Sequence, residues 1–130
     1  MTATTHSIDI AQLAAEAADS KQAENLVALD VSGPLPLADV FLLASGRNER
    51  NVTAIAEEII DRLAEAGTKV IRREGLSEGR WVLLDFGDLV VHVFHEQERV
   101  YYGLERLWKD CPVIPIELPE PATAAAESAV

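Results

Sequence analysis

Two apolar runs, "RWVLLDF" and "LVVHVF", stand on either side of Gly87-Asp88. A Gly/Asp pair between strand-like runs is a two-residue hairpin signal, because such a turn needs positive φ, which glycine adopts without steric cost. This feature commits the chain to an antiparallel β-ribbon near its middle. A ribbon alone is marginal in water, so it must join a larger sheet packed against other elements.

The segment "NERNVTAIAEEIIDRLAEAG" can supply that packing. Val52, Ile55, Ala56, Ile59, Ile60 and Leu63 recur at helical spacing and form one apolar stripe. Asn48 suits the N-cap, Glu49 the first turn and Gly67 the stop. Glu58 and Arg62 can pair at i,i+4 on the outer face. Residues 8–21 read as a second helix through Ile10, Leu13, Ala14 and Ala17, an alanine-rich face suited to close approach.

Further strands are expected at 25–31, "NLVALDV", and at 40–44, a continuous apolar run of the buried kind. "SGPLPLA" makes the turn between them, and "TKVIRR" at 68–73 is a short strand ahead of the loop "EGLSEG". Residues 96–108 return to helical spacing, with Val100, Tyr101, Leu104, Leu107 and Trp108 on one side. The order is helix, two strands, helix, strand, hairpin, helix. It predicts a single α/β domain, a mixed β-sheet flanked by helices, over residues 1–118. Residues 119–130, rich in Pro and Ala, form a tail expected to be disordered.

The chain has 130 residues and a formal net charge of −11. Nucleic-acid binders usually carry a basic stripe, and here the basic residues come as short pairs among acids, so direct DNA binding is not expected. A basic protein partner suits the charge better. No apolar run approaches the ~20 residues of a membrane helix, and no secretory leader pattern opens the sequence, so the cytoplasm is the expected location. Cys111 is the single cysteine, which excludes an internal disulfide.

Candidate chemistry gathers around the hairpin. His92 and His95 lie three apart on a strand and so point to opposite faces, which argues against a shared metal ion. His92 is expected to be half-buried with one hydrogen-bond partner. Asp85 and His92, on adjacent strands, are the best acid/base pair on offer, but no nucleophile has a defined place beside them. Asp88 is equally a turn residue. "ASGRNERN" has the outline of a phosphate-binding turn, yet one glycine is too few for a P-loop. Trp81 and Tyr102 are candidate exposed aromatics of the kind that anchor interfaces.

"EGRWVLLDFGDLVVHVFHEQERVYYGLERLW", with "LVALDVS" and "ADVFLLASGRNERNVTAIAEEI", closely resembles the ribosomal silencing factor family, also called Iojap-like. The matching blocks stand in order over residues 8–108, and the resemblance does not rest on the tail after Cys111. The resemblance implies a nucleotidyltransferase-like topology without that activity. It implies a translational repressor that binds large-subunit ribosomal protein L-fourteen and sterically blocks joining of the subunits, with no cofactor. Carried across by motif, the partner-binding residues are Trp81 and Tyr102, followed by Asp85, His92 and Glu105. A homodimer of the free factor is a further expectation. The alternative is a small nucleotide-binding enzyme of nucleotidyltransferase type using Ser45, Gly46, Asp85 and Asp88.

Overall fold

A computed structural model describes residues 3–33, 38–98 and 111–118. The helix expected over 96–108 falls mostly outside these residues, although 96–98 are helical, and so does the tail from 119 onward. The elements run α1 (Thr5–Ser20), β1 (Glu24–Asp30), β2 (Val40–Gly46), α2 (Glu49–Glu65), β3 (Arg72–Glu74), β4 (Trp81–Asp85), β5 (Leu89–His95) and β6 (Val113–Ile114).

The turn chemistry closes the hairpin as expected. β4 and β5 pair antiparallel, Phe86 N donates to Leu89 O at 2.9 Å, and Gly87 takes φ +92°. α2 begins where its cap predicts, with Asn48 Oδ1 accepting from Asn51 N at 2.8 Å. Its Glu58–Arg62 pair forms at 2.8 Å. The helix ends in a Schellman closure: Gly67 at φ +93° donates to Ala64 O, and Thr68 N donates to Leu63 O. That closure corrects one expectation. Thr68 N–H serves the helix, so the strand expected from residue 68 starts only at Arg72, after an exposed Ile71.

The six strands form one mixed sheet in the order β3-β4-β5-β2-β1-β6. β2 and β5 run parallel at its centre, and the other pairings are antiparallel. β6 was not expected. It is two residues long and bracketed by Pro112 and Pro115, and it pairs with β1 through Ala28 opposite Ile114. Pro112 lacks an N–H but its carbonyl accepts from Asp30 N at 2.8 Å, so proline still serves an edge strand.

One face of the sheet carries the main core. Val52, Ile55, Ile59 and Leu63 of α2 and the alanine face of α1 pack on Val40, Leu42, Val82, Leu84, Val91 and Val93. Each large aliphatic of that α2 stripe is fully buried and contributes about 2 kcal/mol by leaving water. The same alanines let α1 lie close against α2. The opposite face carries a smaller cluster of Leu29, Val31, Ala38, Leu43 and Phe94, flanked by Val27, Phe41, Trp81, Val90 and Cys111. Among the described residues that second cluster draws on strands and loops alone.

Candidate functional site

Among the described residues the second face holds Phe41, Trp81 and Phe94, whereas Phe86 packs in the main core. Strand alternation puts Trp81, Leu83 and Asp85 of β4 on it, opposite Phe94, His92 and Val90 of β5. The next strand adds Phe41 and Leu43 beside Val90 and His92. The His92 ring stacks on Phe94 at 5.9 Å between centroids and meets the edge of Phe41 at 4.9 Å. Trp81 leans on Phe94 at 5.1 Å, and its Nε1–H donates to His92 Nδ1 at 3.3 Å. Trp81 and His92 are both half-buried.

That hydrogen bond fixes the state of His92. A ring nitrogen that accepts carries no proton, so the neutral ring holds its hydrogen on Nε2. Nε2 is buried without a hydrogen-bond partner among the described residues. Burial among aromatic rings pushes the imidazole pKa down to about 4. His92 is therefore a neutral, aromatic part of this face near neutral pH. The expected half-buried histidine with one partner is present. His95 alternates to the other face, where it is buried, and its Nδ1 accepts from Gln97 N at 3.2 Å.

The Asp85–His92 acid/base pair is not assembled. His92 stands opposite Leu83, whereas Asp85 stands opposite Val90, and Asp85 Oδ1 accepts from Gly87 N at 2.8 Å. Asp85 serves the hairpin turn. Asp88 is exposed at the same turn, and its carbonyl accepts from Asp39 N and Val40 N.

The set Ser45, Gly46, Asp85 and Asp88 is likewise not brought together. Ser45 is level with Phe94, and Asp85 is level with Val90, four residues and about 13 Å along the strands. The turn after β2 is also occupied by its own side chains. Arg47 N donates to Asn51 Oδ1 at 3.0 Å, and Asn51 N donates to Asn48 Oδ1. Asn51 Nδ2 reaches Lys21 O at 2.9 Å and ties the turn to the end of α1. A Cβ at Gly46 would lie 2.8 Å from Val52 Cγ2 and 2.9 Å from Val52 N, so the glycine is needed for close packing.

Arg80 belongs to no motif that the sequence displays. In the structure it joins three elements. Its Nε and Nη2 donate to Glu98 Oε1, its Nη1 donates to Glu49 Oε1 at 2.9 Å, and its carbonyl accepts from His95 N at 2.8 Å. Glu98 and then Glu49 hold its guanidinium more firmly protonated. The Glu49 carboxyl sits below its ordinary value, first through its own backbone N–H and then through Arg80. Separations of 18 and 31 residues hide these contacts from any local pattern. Tyr102 and Glu105 lie outside the described residues.

The chain is thus a small mixed-sheet α/β domain with an aromatic second face, on which the Asp85 carboxylate serves the hairpin turn. A family model described as "Ribosomal silencing factor during starvation" matches residues 4–130, and the chain belongs to that family. It is 49% identical over 108 residues to a protein named ribosomal silencing factor in Bacillus subtilis, covering 83% of this chain and 92% of the relative. A crystal structure from Bacillus halodurans is similar at 45% identity and a TM-score of 0.74, covering 83% of this chain and 98% of that one. A second, from Chromobacterium violaceum, is similar at 34% identity and a TM-score of 0.76, covering 94% and 97%.

Proposed function

We propose that this chain is a ribosome-associated repressor of translation. It docks on the large ribosomal subunit through protein L-fourteen and sterically prevents joining of the small subunit. The reading is supported by family membership over nearly the whole chain. Within the fold, the observation that carries it is the aromatic face around Trp81. A half-buried tryptophan beside a neutral histidine is the kind of rigid, amphipathic group that anchors interfaces. A net charge of −11 favours a basic protein partner.

On this reading Trp81 is the central contact and His92 its support within the face. Asp85, Tyr102 and Glu105 complete the proposed surface. The mechanism needs no bond-breaking step, cofactor or metal, and the factor acts in the cytoplasm. A homodimer of the free factor belongs to the same proposal.

Sedimentation with purified bacterial large subunits tests it. The wild-type protein is expected to travel with free large subunits and to reduce their joining with small subunits. Trp81→Ala should cut affinity by about thirtyfold, which corresponds to an anchor of about 2 kcal/mol. A stable Trp81→Ala protein that still blocks joining would remove Trp81 from the contact surface.

A further inference from the structure

We infer that the outer edge of β1, together with Gln12 of α1, is a recognition site for an extended protein segment. Residues 112–117 of this chain occupy it. A partner segment with two aliphatic side chains two positions apart, followed directly by a basic residue, can replace them. The site lies at the end of the sheet away from β4 and Trp81, so it does not depend on the docking reading above.

The resident segment shows how the site reads its occupant. Cys111 flanks the cluster on the second face, and three residues later Ile114 is part of the main core, so the chain rounds the sheet edge here. Asp30 N donates to Pro112 O at 2.8 Å, and Val113 and Ile114 pair with Leu29 and Ala28. Beyond β6 the Gln12 side-chain amide takes over. Its Nε2 donates to Glu117 O, and its Oε1 accepts from Glu117 N at 3.0 Å. One amide thus satisfies both main-chain groups of one residue, as a neighbouring strand would. These bonds recognise backbone rather than side chains, the mode by which an extended peptide adds to a sheet edge. Alternate side chains supply selectivity. Ile114 is buried and Ile116 packs on the same core, while Val113, Pro115 and Glu117 are exposed.

Two features make the resident replaceable. β1 has seven residues, yet among the described residues β6 pairs with two of them. Pro112 and Pro115 bring no N–H to the edge, and Val113 is 67% exposed. A segment held by so short a ladder opens locally well before the domain unfolds. The resident is also mismatched in charge. Gln12 Nε2 donates to Glu16 Oε2 at 2.8 Å as well, so Glu117 brings a second acid beside Glu16. A lysine or arginine in that position would meet an opposite charge.

The test uses the full chain and a fluorescein-labelled peptide, Pro-Val-Ile-Pro-Ile-Lys-Leu, beside a second peptide with Glu in place of Lys. Fluorescence polarisation is measured on wild type, on Ile114→Ser/Ile116→Ser, which releases the resident and leaves the site intact, and on that variant with Gln12→Ala added. The double variant should bind the Lys peptide about tenfold or more tighter than wild type does, because a tethered resident competes at an effective concentration on the order of millimolar. The Lys peptide should bind about threefold tighter than the Glu peptide. Adding Gln12→Ala should weaken binding about tenfold. A folded double variant that does not bind the Lys peptide overturns the inference, and so does unchanged binding after Gln12→Ala. Equal binding of the two peptides overturns the partner's stated chemistry. Should the double variant not fold, excess Lys peptide added to wild type is expected to shift the Ile114 and Ile116 methyl NMR signals, and unchanged signals overturn the inference.

Discussion

His92 makes the stability of this domain depend on pH over a defined window. Its pKa is about 4 in the folded protein against an ordinary 6.5. The ring is packed by Phe41, Phe94 and Trp81, and its Nδ1 already accepts from the Trp81 indole. A proton on Nδ1 would set two donors against each other and place a charge among aromatic rings. Between the two pKa values the unfolded chain binds a proton that the folded ring refuses. Stability is therefore fully present above the unfolded value, falls as pH drops below it, and levels off below the folded value. At about 1.4 kcal/mol per pH unit, passing from about pH 7 to about pH 5 removes about 2 kcal/mol through this ring. That is a large share of the stability of a small domain. The assay is urea unfolding of wild type and His92→Phe across this range. The phenyl ring fits the same aromatic setting and does not titrate. It also loses the Trp81 bond, a penalty of about 1 kcal/mol that is the same at every pH. The expected result is a shallower pH dependence in the variant, the difference between the two shifting by about 2 kcal/mol in the variant's favour toward about pH 5, so that the curves cross. Parallel curves would refute the placement of His92 as a buried neutral ring.

Gly46→Ala should destabilise the fold by about 1–3 kcal/mol in the same unfolding assay, because its Cβ would press on Val52 Cγ2 and Val52 N. Asp39→Ala should lose about 2 kcal/mol and fray α1 by hydrogen exchange, since Asp39 Oδ2 accepts from Thr4 N at 3.0 Å and Ser7 Oγ at 2.9 Å. The hydrogen bond from Thr4 N lowers the Asp39 pKa most, so its contribution is present above the ordinary carboxylate value and is lost as pH falls through the folded one. Deleting residues 119–130 should leave the melting temperature nearly unchanged, because this Pro- and Ala-rich segment offers little apolar surface to bury. Calorimetry with magnesium and nucleoside triphosphates should give no stoichiometric signal at micromolar concentration, and such a signal would revive the enzyme reading.

Local rules determined the elements whose stop and start signals lie within a few residues. Asn48 capped α2, Gly67 ended it, and Gly87-Asp88 turned the hairpin, because each of these needs only its own backbone and near neighbours. The period-two alternation of β5 likewise separated His92 from His95 without any knowledge of the partner strands. Tertiary structure decided the rest. β6 exists because β1 offers an edge to Val113 and Ile114, which favour strands but form a run of only two between Pro112 and Pro115, too short to mark a strand by pattern. The start of β3 depends on Thr68 closing the preceding helix, a competition for one N–H group. Asp85 and His92 share a face but take different partners, because register places Leu83 opposite His92 and the turn claims Asp85. The Arg80 link is the extreme case. Its carboxylates come from 31 residues before it and 18 after it, so only the closed sheet brings the three charges within hydrogen-bond distance.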